Sequence, residues 1–480
     1  MYTIVNKDNY NEYLISQGIS NQWIKRDFVF DVEKYIESPL QKVLLISGLR
    51  GTGKSVGILQ SIKDRDAVYI IIEKSNLAVN PEEIINLLNR VKEHIICIDE
   101  YSWIDNEGRN ILDAYLDTLT KQGKKVIITG TESLCIEALK GGELIHRTTT
   151  IQTNHMSFSE YCRIFNKEPN KNNCEKFLTE GGIFEDYVVN NADSMKSYID
   201  NSIVNNLRAY VKSSSSLVDE NKIGTLIYTV FYRAIRSIVD TKIKFYNLSQ
   251  ESIAALDRLN IDPDYTFVNP SEVDLVANIL NQAGVIIKVP NFFQRENKLA
   301  DYSLEQDYKT YIVNPAITYQ FLKTIFADFE DSSLKGLLYE ANCMVDMYYS
   351  KLPIDNIYFI ESSLAENFEI DIAIVQNDDS LKKQIYLFEC KLDPNVSTYN
   401  KNWSILNGKV EKAINEIYPD AEIKSKYIIH PGETSLQRDS ANNPVIVTNQ
   451  DDILYDYFKA DKHIEKLSTV KTLKKKHKTL

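Results

Sequence analysis

The sequence lacks the features of several protein classes. Its six cysteines are scattered with no Cys-x-x-Cys pair, and its six histidines include no His-Glu-x-x-His motif. Scattered cysteines of this kind indicate reduced, packed thiols rather than a disulfide framework or a zinc site. No run approaches the roughly 20 apolar residues that a membrane helix needs. The first residues, MYTIVNKDNYNEYL, are too polar for a signal peptide. We therefore expect a cytoplasmic protein with no membrane partner.

Positive charge is also in short supply. The chain holds 55 Lys and Arg against 67 Asp and Glu, a net charge of −12, which argues against a surface that coats nucleic acid throughout. The exception is the lysine-rich end, residues 463–480, which is either a solvated tail or a segment that touches phosphate. At 480 residues the chain is too long for a single core, so roughly two to four domains are expected.

What the sequence does contain is a phosphate-binding loop. Residues 43–55 read VLLISGLRGTGKS, a G-x-x-x-x-G-K-S pattern behind an apolar strand and ahead of a helical run. Glycines let the backbone N–H groups turn toward phosphate oxygens, Lys54 reaches the β and γ phosphates, and the Ser55 hydroxyl binds Mg²⁺. The predicted nucleotide-binding residues of this loop are Gly48, Arg50, Gly51, Thr52, Gly53, Lys54, Ser55 and Val56. We therefore expect ATP and Mg²⁺ as ligands.

Two further strands carry the partners that such a loop requires. Residues 95–100 read IICIDE, in which Asp99 would hold Mg²⁺ through water and Glu100 would orient and deprotonate the attacking water. The strand in KKVIITGTES ends beside Asp99, so the hydroxyl of Thr129 or Thr131 would sense the γ-phosphate. The apolar strands lie at 43–47, 67–72, 95–98 and 125–129. Helical segments lie between them, so the pattern predicts an α/β fold with a parallel-sheet P-loop NTPase domain.

The order of five segments resembles a known family: GLRGTGKS, IICIDE, IITGTES, ELIHRTTTIQTNHMSFSEY and FLTEGGIFEDYV. It is similar to the prokaryotic AAA-type ATPases that carry a helical lid, a winged-helix domain and a C-terminal α/β restriction-endonuclease-like domain. The resemblance implies that architecture here, together with ATP and Mg²⁺. The boundaries that we expect are 1–165 for the ATPase domain, 166–218 for the helical lid and linker, 219–325 for the winged-helix domain, 326–462 for the nuclease-like domain and 463–480 for the basic tail.

The resemblance also implies a catalytic role for Arg147. In the family an arginine follows the sensor strand shortly before the Ser-Phe-Ser-Glu segment, and Arg147 occupies that position here. An arginine in such a place stabilises transition-state charge, either in its own subunit or on a neighbouring one. The other interpretation is a structural ion pair. Whether the protein forms a homo-oligomer also stays open, because only a role of Arg147 on a neighbouring subunit requires one.

The family places its winged helix, three helices and a small hairpin, in the middle of the chain. Matching runs are IGTLIYTVFYRAI, LSQESIAALDRL and SEVDLVANILNQAG for the helices, with VIIKVPNFF and KTYIVN for the strands. The helix in the DNA-reading position holds Glu272 and Asp274 but no lysine or arginine, so it would repel phosphate. We therefore interpret this module as a spacer or protein contact, with DNA reading as the alternative.

Residues 368–391, FEIDIAIVQNDDSLKKQIYLFECK, predict an antiparallel hairpin with charges inside its strands. Strand side chains alternate between faces. Ile370 should therefore share a face with Ile372, whereas Glu369 and Asp371 should lie on the other face.

A hairpin register centred on Ser380 places Asp371 opposite Glu389, and Glu369 opposite Lys391. Two carboxylates directly across a ladder repel each other and reduce stability. A positive charge should compensate for them, and Lys391 would also have to serve Glu369. We therefore expect a divalent cation, Mg²⁺ or Mn²⁺, because these ions prefer carboxylate oxygens.

An acid on one strand and Glu-x-Lys on the next resembles the PD-(D/E)-x-K nuclease core. Carried over, Asp371 and Glu389 are metal ligands and catalytic residues, and Lys391 holds or activates the attacking water. Glu340, in the preceding helix, matches the upstream acid of that family and is a further predicted metal ligand. DNA is the implied partner. The alternative is a solvated strand edge with a Glu369–Lys391 ion pair.

The whole sequence thus predicts a Mg²⁺-dependent ATPase whose nucleotide state acts, through a lid and a winged helix, on a C-terminal nuclease-like domain. The alternative from another class is an NTP-driven switch or scaffold whose C-terminal domain is a non-catalytic binding module. A third reading, an AAA motor that remodels partner proteins, requires a ring.

Overall fold

A computed structural model describes residues 2–20, 22–73, 80–104, 106–130, 147–181, 191–213, 219–239, 254, 257, 269–292, 308–326, 330–350, 357–362, 368–377, 382–393, 410–415, 418–438, 444–449 and 452–453. Three predictions lie outside these residues: those for Thr131, for most of the helix at LSQESIAALDRL, and for the basic tail.

A six-stranded sheet forms the front of the described chain. Its strands are β1 (Tyr2–Val5), β2 (Val43–Ser47), β3 (Ala67–Ile72), β4 (Ile95–Asp99), β5 (Lys125–Thr129) and β6 (Thr148–Gln152), in the spatial order β1-β3-β4-β5-β2-β6. The pairs among β2 to β6 are parallel, and β1 lies antiparallel on β3. The predicted parallel sheet is confirmed for its four strands. The antiparallel edge strand β1 is an addition that sequence reasoning misses.

Helices cover both faces of this sheet. They are α1 (Tyr10–Ser16), α2 (Asp27–Glu37), α3 (Lys54–Ile62), α4 (Pro81–Leu88) and α5 (Asn106–Lys121). Val29 of α2 and Ile58 of α3 belong to the apolar core on one face. Ile84 of α4 and Leu112 of α5 belong to the core on the other face. Burial on both faces explains why the central strands are uninterrupted apolar runs.

A helical segment, which we call the lid, follows β6. It begins inside the predicted ATPase domain (1–165) and continues through the region predicted as helical lid and linker (166–218), and that assignment stays a prediction. It comprises α6 (Phe158–Ile164), α7 (Lys171–Glu180), α8 (Ala192–Ile199), a π-helical turn (Asp200–Val204) and α9 (Asn205–Ser213). The side chains of Ser157, Asn170 and Asn191 each accept a hydrogen bond from a first-turn N–H group. Such caps satisfy donors that a helix start leaves unpaired, and they define where α6, α7 and α8 begin.

The middle of the chain forms helices and one hairpin. Its elements are α10 (Ile223–Val239), α11 (Pro270–Gln282), β7 (Ile286–Pro290), β8 (Tyr308–Ile312) and α12 (Pro315–Ile325), with β7 and β8 antiparallel. Asn269 and Asn314 cap α11 and α12, and a proline opens each helix. The described helices and strands agree with the first and third predicted helices and with the two predicted strands, whereas the second predicted helix lies mostly outside the described residues. The winged-helix assignment stays a prediction.

The C-terminal part is a second six-stranded sheet with a long helix before it. The elements are α13 (Asp331–Tyr348), β9 (Ile357–Ser362), β10 (Phe368–Asn377), β11 (Lys383–Cys390), β12 (Glu422–Ile429), β13 (Ser435–Arg438) and β14 (Pro444–Thr448), with the strand order β13-β14-β12-β11-β10-β9. β9, β10 and β11 are antiparallel neighbours, whereas β11, β12 and β14 run parallel. No described helix is long and apolar enough to cross a membrane.

The hairpin of β10 and β11 has the expected register but not the expected faces. Ala373 lies opposite Leu387, as a hairpin centred on Ser380 requires. Between Ile370 and Ala373, however, the pairing of β10 with β9 shifts by one residue, which is a β-bulge. Ile370 therefore packs in the same apolar cluster as Ala373, and Ile372 packs in a different one. The predicted common face of Ile370 and Ile372 is wrong because strict alternation does not hold across a bulge.

One apolar core joins the lid, the middle module and the C-terminal sheet. It contains Phe177 of α7, Phe231 of α10, Phe321 of α12 and Phe388 of β11. These parts therefore pack together, and the other face of the C-terminal sheet has a second, separate apolar cluster.

Candidate functional site

The loop between β2 and α3 has the backbone that phosphate binding requires. Gly51 and Gly53 adopt left-handed conformations (φ 79° and 81°), which L side chains disfavour. A Cβ atom on Gly48 would lie 2.0 Å from the hydroxyl oxygen of Thr153, just after β6. Only glycine fits at position 48. Since α3 begins at Lys54, directly behind the loop, its N-terminus favours an anion there.

The side chain of Lys54 folds back on the loop. Its Nζ donates to the carbonyl oxygens of Gly48 (2.7 Å) and Leu49 (2.9 Å). Burial lowers the pKa of Lys54 to about 8, although the carboxylates of Asp99 and Glu100 oppose the shift. Phosphate oxygens would replace the two carbonyls as partners and raise this pKa, because opposite charge favours the ammonium form.

Three donors hold the carboxylate of Asp99 at the end of β4. The Ser55 hydroxyl donates to Oδ2 at 2.7 Å, and the Tyr69 hydroxyl donates to the same oxygen. The N–H group of Glu100 donates to Oδ1 at 2.8 Å. Neighbouring ligands of an octahedral Mg²⁺ lie about 2.9 Å apart, and this ion prefers hard oxygen donors. Ser55 and Asp99 therefore lie close enough together to hold one magnesium ion, with the hydroxyl as a direct ligand and the carboxylate bound either directly or, as predicted, through water.

The two other residues predicted at this edge differ in their surroundings. Glu100 has a left-handed backbone (φ 59°), and strain of this kind in a non-glycine residue clusters at functional sites. Thr129, at the end of β5, is fully buried and donates its hydroxyl to the carbonyl of Ile46 at 2.8 Å. That bond joins β5 to β2, so the hydroxyl of Thr129 donates its hydrogen bond to the neighbouring strand in this structure. The other sensor candidate, Thr131, lies outside the described residues.

Arg147 lies at the opposite edge of the sheet from the phosphate-binding loop. Its carbonyl accepts a bond from Val43 at the start of β2, whereas the loop follows the end of that strand. Its guanidinium binds Asp117 of α5 at 2.6 Å, and Lys121 binds the same carboxylate at 2.6 Å. A catalytic role in its own subunit is therefore incompatible with the fold, and the observed contact is the ion pair. A role on a neighbouring subunit stays a prediction.

Two contacts that sequence reasoning missed hold the loop in place. Arg26, just before α2, donates to the carbonyl of Thr52 at 2.9 Å and to the carboxylate of Glu160 at 2.9 Å. Burial raises the pKa of Glu160, but the guanidinium of Arg26 outweighs burial, so the pKa is lowered. The hydroxyl of Tyr198 on α8 donates to the carbonyl of Arg50 at 2.9 Å. Arg26 and Tyr198 do not belong to a sequence motif, so sequence reasoning could not single them out. Of the residues in these contacts, only Glu160 lies in a motif, the Ser-Phe-Ser-Glu segment.

In the C-terminal sheet the predicted acids converge on one lysine. The Nζ atom of Lys391 lies 3.3 Å from Oε2 of Glu389 and 3.4 Å from Oε1 of Glu340. It lies 3.6 Å from Oδ2 of Asp371, which also accepts a bond from the N–H of Cys390 at 2.7 Å. The structure thus brings together all four predicted side chains of this site.

The charge balance around Glu389 favours a further cation. Burial raises the pKa of Glu389 well above its ordinary value, and Asp371 adds to the shift while Lys391 opposes it. Carboxylate oxygens are suitable ligands for Mg²⁺ or Mn²⁺. Within the described ranges, however, no three His, Cys, Asp or Glu side chains lie close enough together to hold a metal ion. The predicted ligands Glu340, Asp371 and Glu389 surround an ammonium group here, so their metal-binding role stays a prediction.

The predicted partner of Glu369 is wrong. Glu369 lies opposite Glu361 on β9, and the Nζ atom of Lys309 on β8 lies 2.6 Å from Glu369 and 3.4 Å from Glu361. Facing carboxylates repel each other, and Lys309 supplies the compensating charge from the middle module. Lys391 therefore does not have to serve Glu369. Sequence reasoning missed Lys309 because it lies 60 positions before Glu369.

Comparison with protein families identifies the front part of the chain. The family model of an AAA domain matches residues 40–162. This segment is an AAA domain. It contains the phosphate-binding loop and the Asp99–Glu100 pair, so the AAA domain carries the site described above. No curated protein matches the chain.

The chain is also similar to solved structures. Hsp104 of S. cerevisiae, in a complex with casein, is 14% identical, with 58% of this chain and 52% of that chain covered and a TM-score of 0.27. PCH-2 of C. elegans is 13% identical, with 53% and 68% covered and a TM-score of 0.23. The RuvB Holliday junction branch migration motor of Thermotoga maritima is 15% identical, with 60% and 90% covered and a TM-score of 0.21. The chain spans about half the length of the Hsp104 chain. At such TM-scores the likeness supports no further conclusion.

The lowered pKa of Lys54 predicts a pH dependence of ATP binding. Above pH 8 the free protein loses the Lys54 proton, and phosphate binding must restore it. Affinity should therefore fall with rising pH, by up to about tenfold per unit above pH 8, while staying nearly constant near pH 7. Calorimetry in buffers of different ionisation enthalpy should show uptake of roughly 0.8 proton at pH 8.5. Equal proton uptake at pH 7 and pH 8.5 would contradict the assignment of the pH dependence to Lys54.

The bond from Tyr69 to Asp99 predicts an effect on magnesium. Tyr69→Phe should raise the Mg²⁺ concentration needed for half-maximal ATP binding by about tenfold, because a hydrogen bond to a charged group contributes roughly 1.5–3 kcal/mol. Tyr35→Phe is the matched control, since the Tyr35 hydroxyl donates to the carbonyl of Lys42 at 2.7 Å, away from the loop. A similar Mg²⁺ shift in both variants would indicate a general loss of stability instead.

Proposed function

We propose that the AAA domain binds and hydrolyses ATP with Mg²⁺. The observation that carries this proposal is the contact between Ser55 and Asp99, which places a loop hydroxyl and a strand carboxylate at the spacing of one magnesium ion. The bound ion neutralises charge on the transferred phosphoryl group. The family match and the glycine conformations of the loop support the same activity.

Each residue of this site has a distinct task in the proposed reaction. Lys54 leaves the carbonyls of Gly48 and Leu49 and donates to the β and γ phosphates. Glu100 orients a water molecule in line with the γ-phosphorus and accepts its proton. Asp99 and Ser55 hold the magnesium ion. Arg147 acts, if at all, on the site of a neighbouring subunit, which would require a homo-oligomer.

Substitution of these residues separates binding from hydrolysis. Lys54→Ala should abolish ATP binding, because it removes the charge that faces the phosphates. Glu100→Gln should keep ATP binding and reduce kcat roughly 100-fold to 10,000-fold, so that ATP stays bound. Filter binding and phosphate release measure the two quantities. Lys63→Ala and Glu83→Gln, at exposed positions, are matched controls. Normal turnover in both site variants would refute the ATPase.

We further propose that the C-terminal domain is a restriction-endonuclease-like fold that cleaves DNA with Mg²⁺ or Mn²⁺. Support comes from the order α13, β9, β10, β11 and β12 and from the four side chains around Lys391. Asp371 and Glu389 would hold the ion, and Lys391 would activate the attacking water. The second candidate is a non-catalytic binding module, which the direct contact of Lys391 with three acids favours.

Plasmid nicking with defined metals tests the nuclease. With Mn²⁺ the wild-type protein should nick DNA, and Asp371→Asn or Lys391→Ala should reduce the rate at least about 100-fold, because each removes a group needed at the transition state. Asp420→Asn and Lys424→Ala, at the approach to β12 and within it, are matched controls. Equal nicking by wild type and site variants would indicate a contaminant. No nicking by any of them would favour the binding module.

The middle module is proposed to be a winged helix that acts as a spacer rather than a DNA reader. Asp274 of α11 forms an ion pair with Arg233 of α10 at 3.3 Å, so the acid of this helix contributes to contacts within the module. The middle module also contacts the C-terminal sheet, because Asn291, which follows β7, forms a β-bridge with Phe359 of β9. These contacts support a structural module between the AAA domain and the C-terminal sheet.

A further inference from the structure

Four consecutive residues at the end of β6, which we name the junction segment (residues 152–155), contact three parts of the protein. The side chain of Gln152 donates to the carbonyl of Gln282 in the middle module. The hydroxyl of Thr153 lies 2.7 Å from that of Thr52 in the phosphate-binding loop. Asn154 contacts the loop and the middle module, and His155 contacts the first helix of the C-terminal domain. The segment is therefore a place where a change at the loop reaches the rest of the chain.

Asn154 joins the phosphate-binding loop to the middle module. Its Oδ1 atom accepts a bond from the N–H of Leu49 at 2.5 Å. Its Nδ2 atom donates to the carbonyls of Ala283 (2.8 Å) and Gly284 (3.0 Å) at the turn between α11 and β7. Leu49 is also one of the two residues whose carbonyl binds Lys54. A movement of Leu49 would therefore directly change its hydrogen bond with Asn154 of the junction segment.

His155 joins the same segment to the first helix of the C-terminal domain. Its Nε2 atom lies 2.7 Å from Oδ1 of Asp346 on α13, and its ring stacks on Tyr349 with the centroids 4.7 Å apart. Asp346 is buried and accepts a second bond from Asn342 at 3.2 Å. A buried, hydrogen-bonded carboxylate of this kind resists separation from its partner, because its charge would be left uncompensated.

The helix that carries Asp346 also carries Glu340. The two residues are six positions apart, or about 9 Å along a helix. Glu340 contacts Lys391 at 3.4 Å in the C-terminal site. One helix therefore contacts the junction segment near its C-terminal end and the side chains of the C-terminal site near its middle.

Nucleotide binding must change the contacts at the start of this route. The ammonium group of Lys54 has three N–H donors, and two of them bind the carbonyls of Gly48 and Leu49, so donation to both the β and γ phosphates requires at least one of these bonds to break. Differential contacts of this type are what couple two sites thermodynamically. We propose that ATP binding acts on the C-terminal site through Leu49, the junction segment and α13, with His155 and Asp346 as positioning residues. The proposal rests on the ATP binding proposed above.

This route differs from one through the lid. The lid also touches both ends, since Tyr198 binds the loop and Lys335 of α13 binds Glu175 of α7 at 2.9 Å. The Lys335 contact is partly exposed and lies one helical turn from the start of α13, on the far side of Glu340 from Asp346. The Lys335–Glu175 pair is the more exposed of the two and is screened more strongly by solvent, so the His155–Asp346 pair, with its buried carboxylate, is the stronger connection.

Hydrogen exchange of α13 tests the route without relying on nuclease activity. In the wild-type protein, ATPγS with Mg²⁺ should change the exchange rates of residues 331–348 by roughly threefold or more. His155→Ala should bind ATPγS within about twofold of wild type but lose the α13 response, because the side chain of His155 lies outside the nucleotide site. His94→Ala is the matched control, since it removes the same kind of side chain at an exposed position outside the route, and it should retain the response.

The outcomes distinguish this route from the ATPase proposal. Absence of ATPγS binding by the wild type would overturn the ATPase and the route together. Binding without any α13 response, or an unchanged response in His155→Ala, would overturn the route alone. Asp346→Asn, which keeps the size of the side chain and removes its charge, provides the same test if His155→Ala does not fold.

Discussion

Strand pairing places acidic side chains next to each other in this protein, and each crowded pair needs a positive charge within a few ångströms. The structure meets this need with lysines that come from different places. Lys391 directly follows the strand that carries one of its acids, Glu389, whereas Lys309 of the middle module binds Glu361 and Glu369. At the phosphate-binding loop the acid Asp99 is held by neutral donors, which leaves its charge available for magnesium.

Lys309 shows that the modules are linked electrostatically as well as by packing. The lid, the middle module and the C-terminal sheet share an apolar core, and the charge that balances a pair in the last sheet belongs to the hairpin of the middle module. Such an arrangement makes independent folding of the C-terminal sheet unfavourable, since its acids would lose their partner. It also explains why contacts at one module are able to constrain another.

Sequence reasoning found those parts of the protein whose chemistry depends on local order. The glycines of the loop, the Asp99–Glu100 pair and the hairpin register all follow from short-range patterns, and the structure contains them. It failed where partners are distant in the chain. Arg26 binds Glu160 across the molecule, and Arg147 contacts an acid of α5 that no motif marks. The bulge in β10 was also beyond reach, because one extra residue in a strand leaves the apolar pattern almost unchanged.

The bulge divides β10 into two parts that pair with β9 in different registers. Residues 368–370 pair with β9 in one register, and residues 373 and 374 pair with it in a register shifted by one residue, whereas residues 372–377 pair with β11. A change of length on the β9 side would therefore be absorbed near residue 371, without rotating the apolar residues that face β11. Because Asp371 lies at the bulge itself, such a change would move one of the acids around Lys391, so the bulge links the Lys309 cluster to the Lys391 cluster.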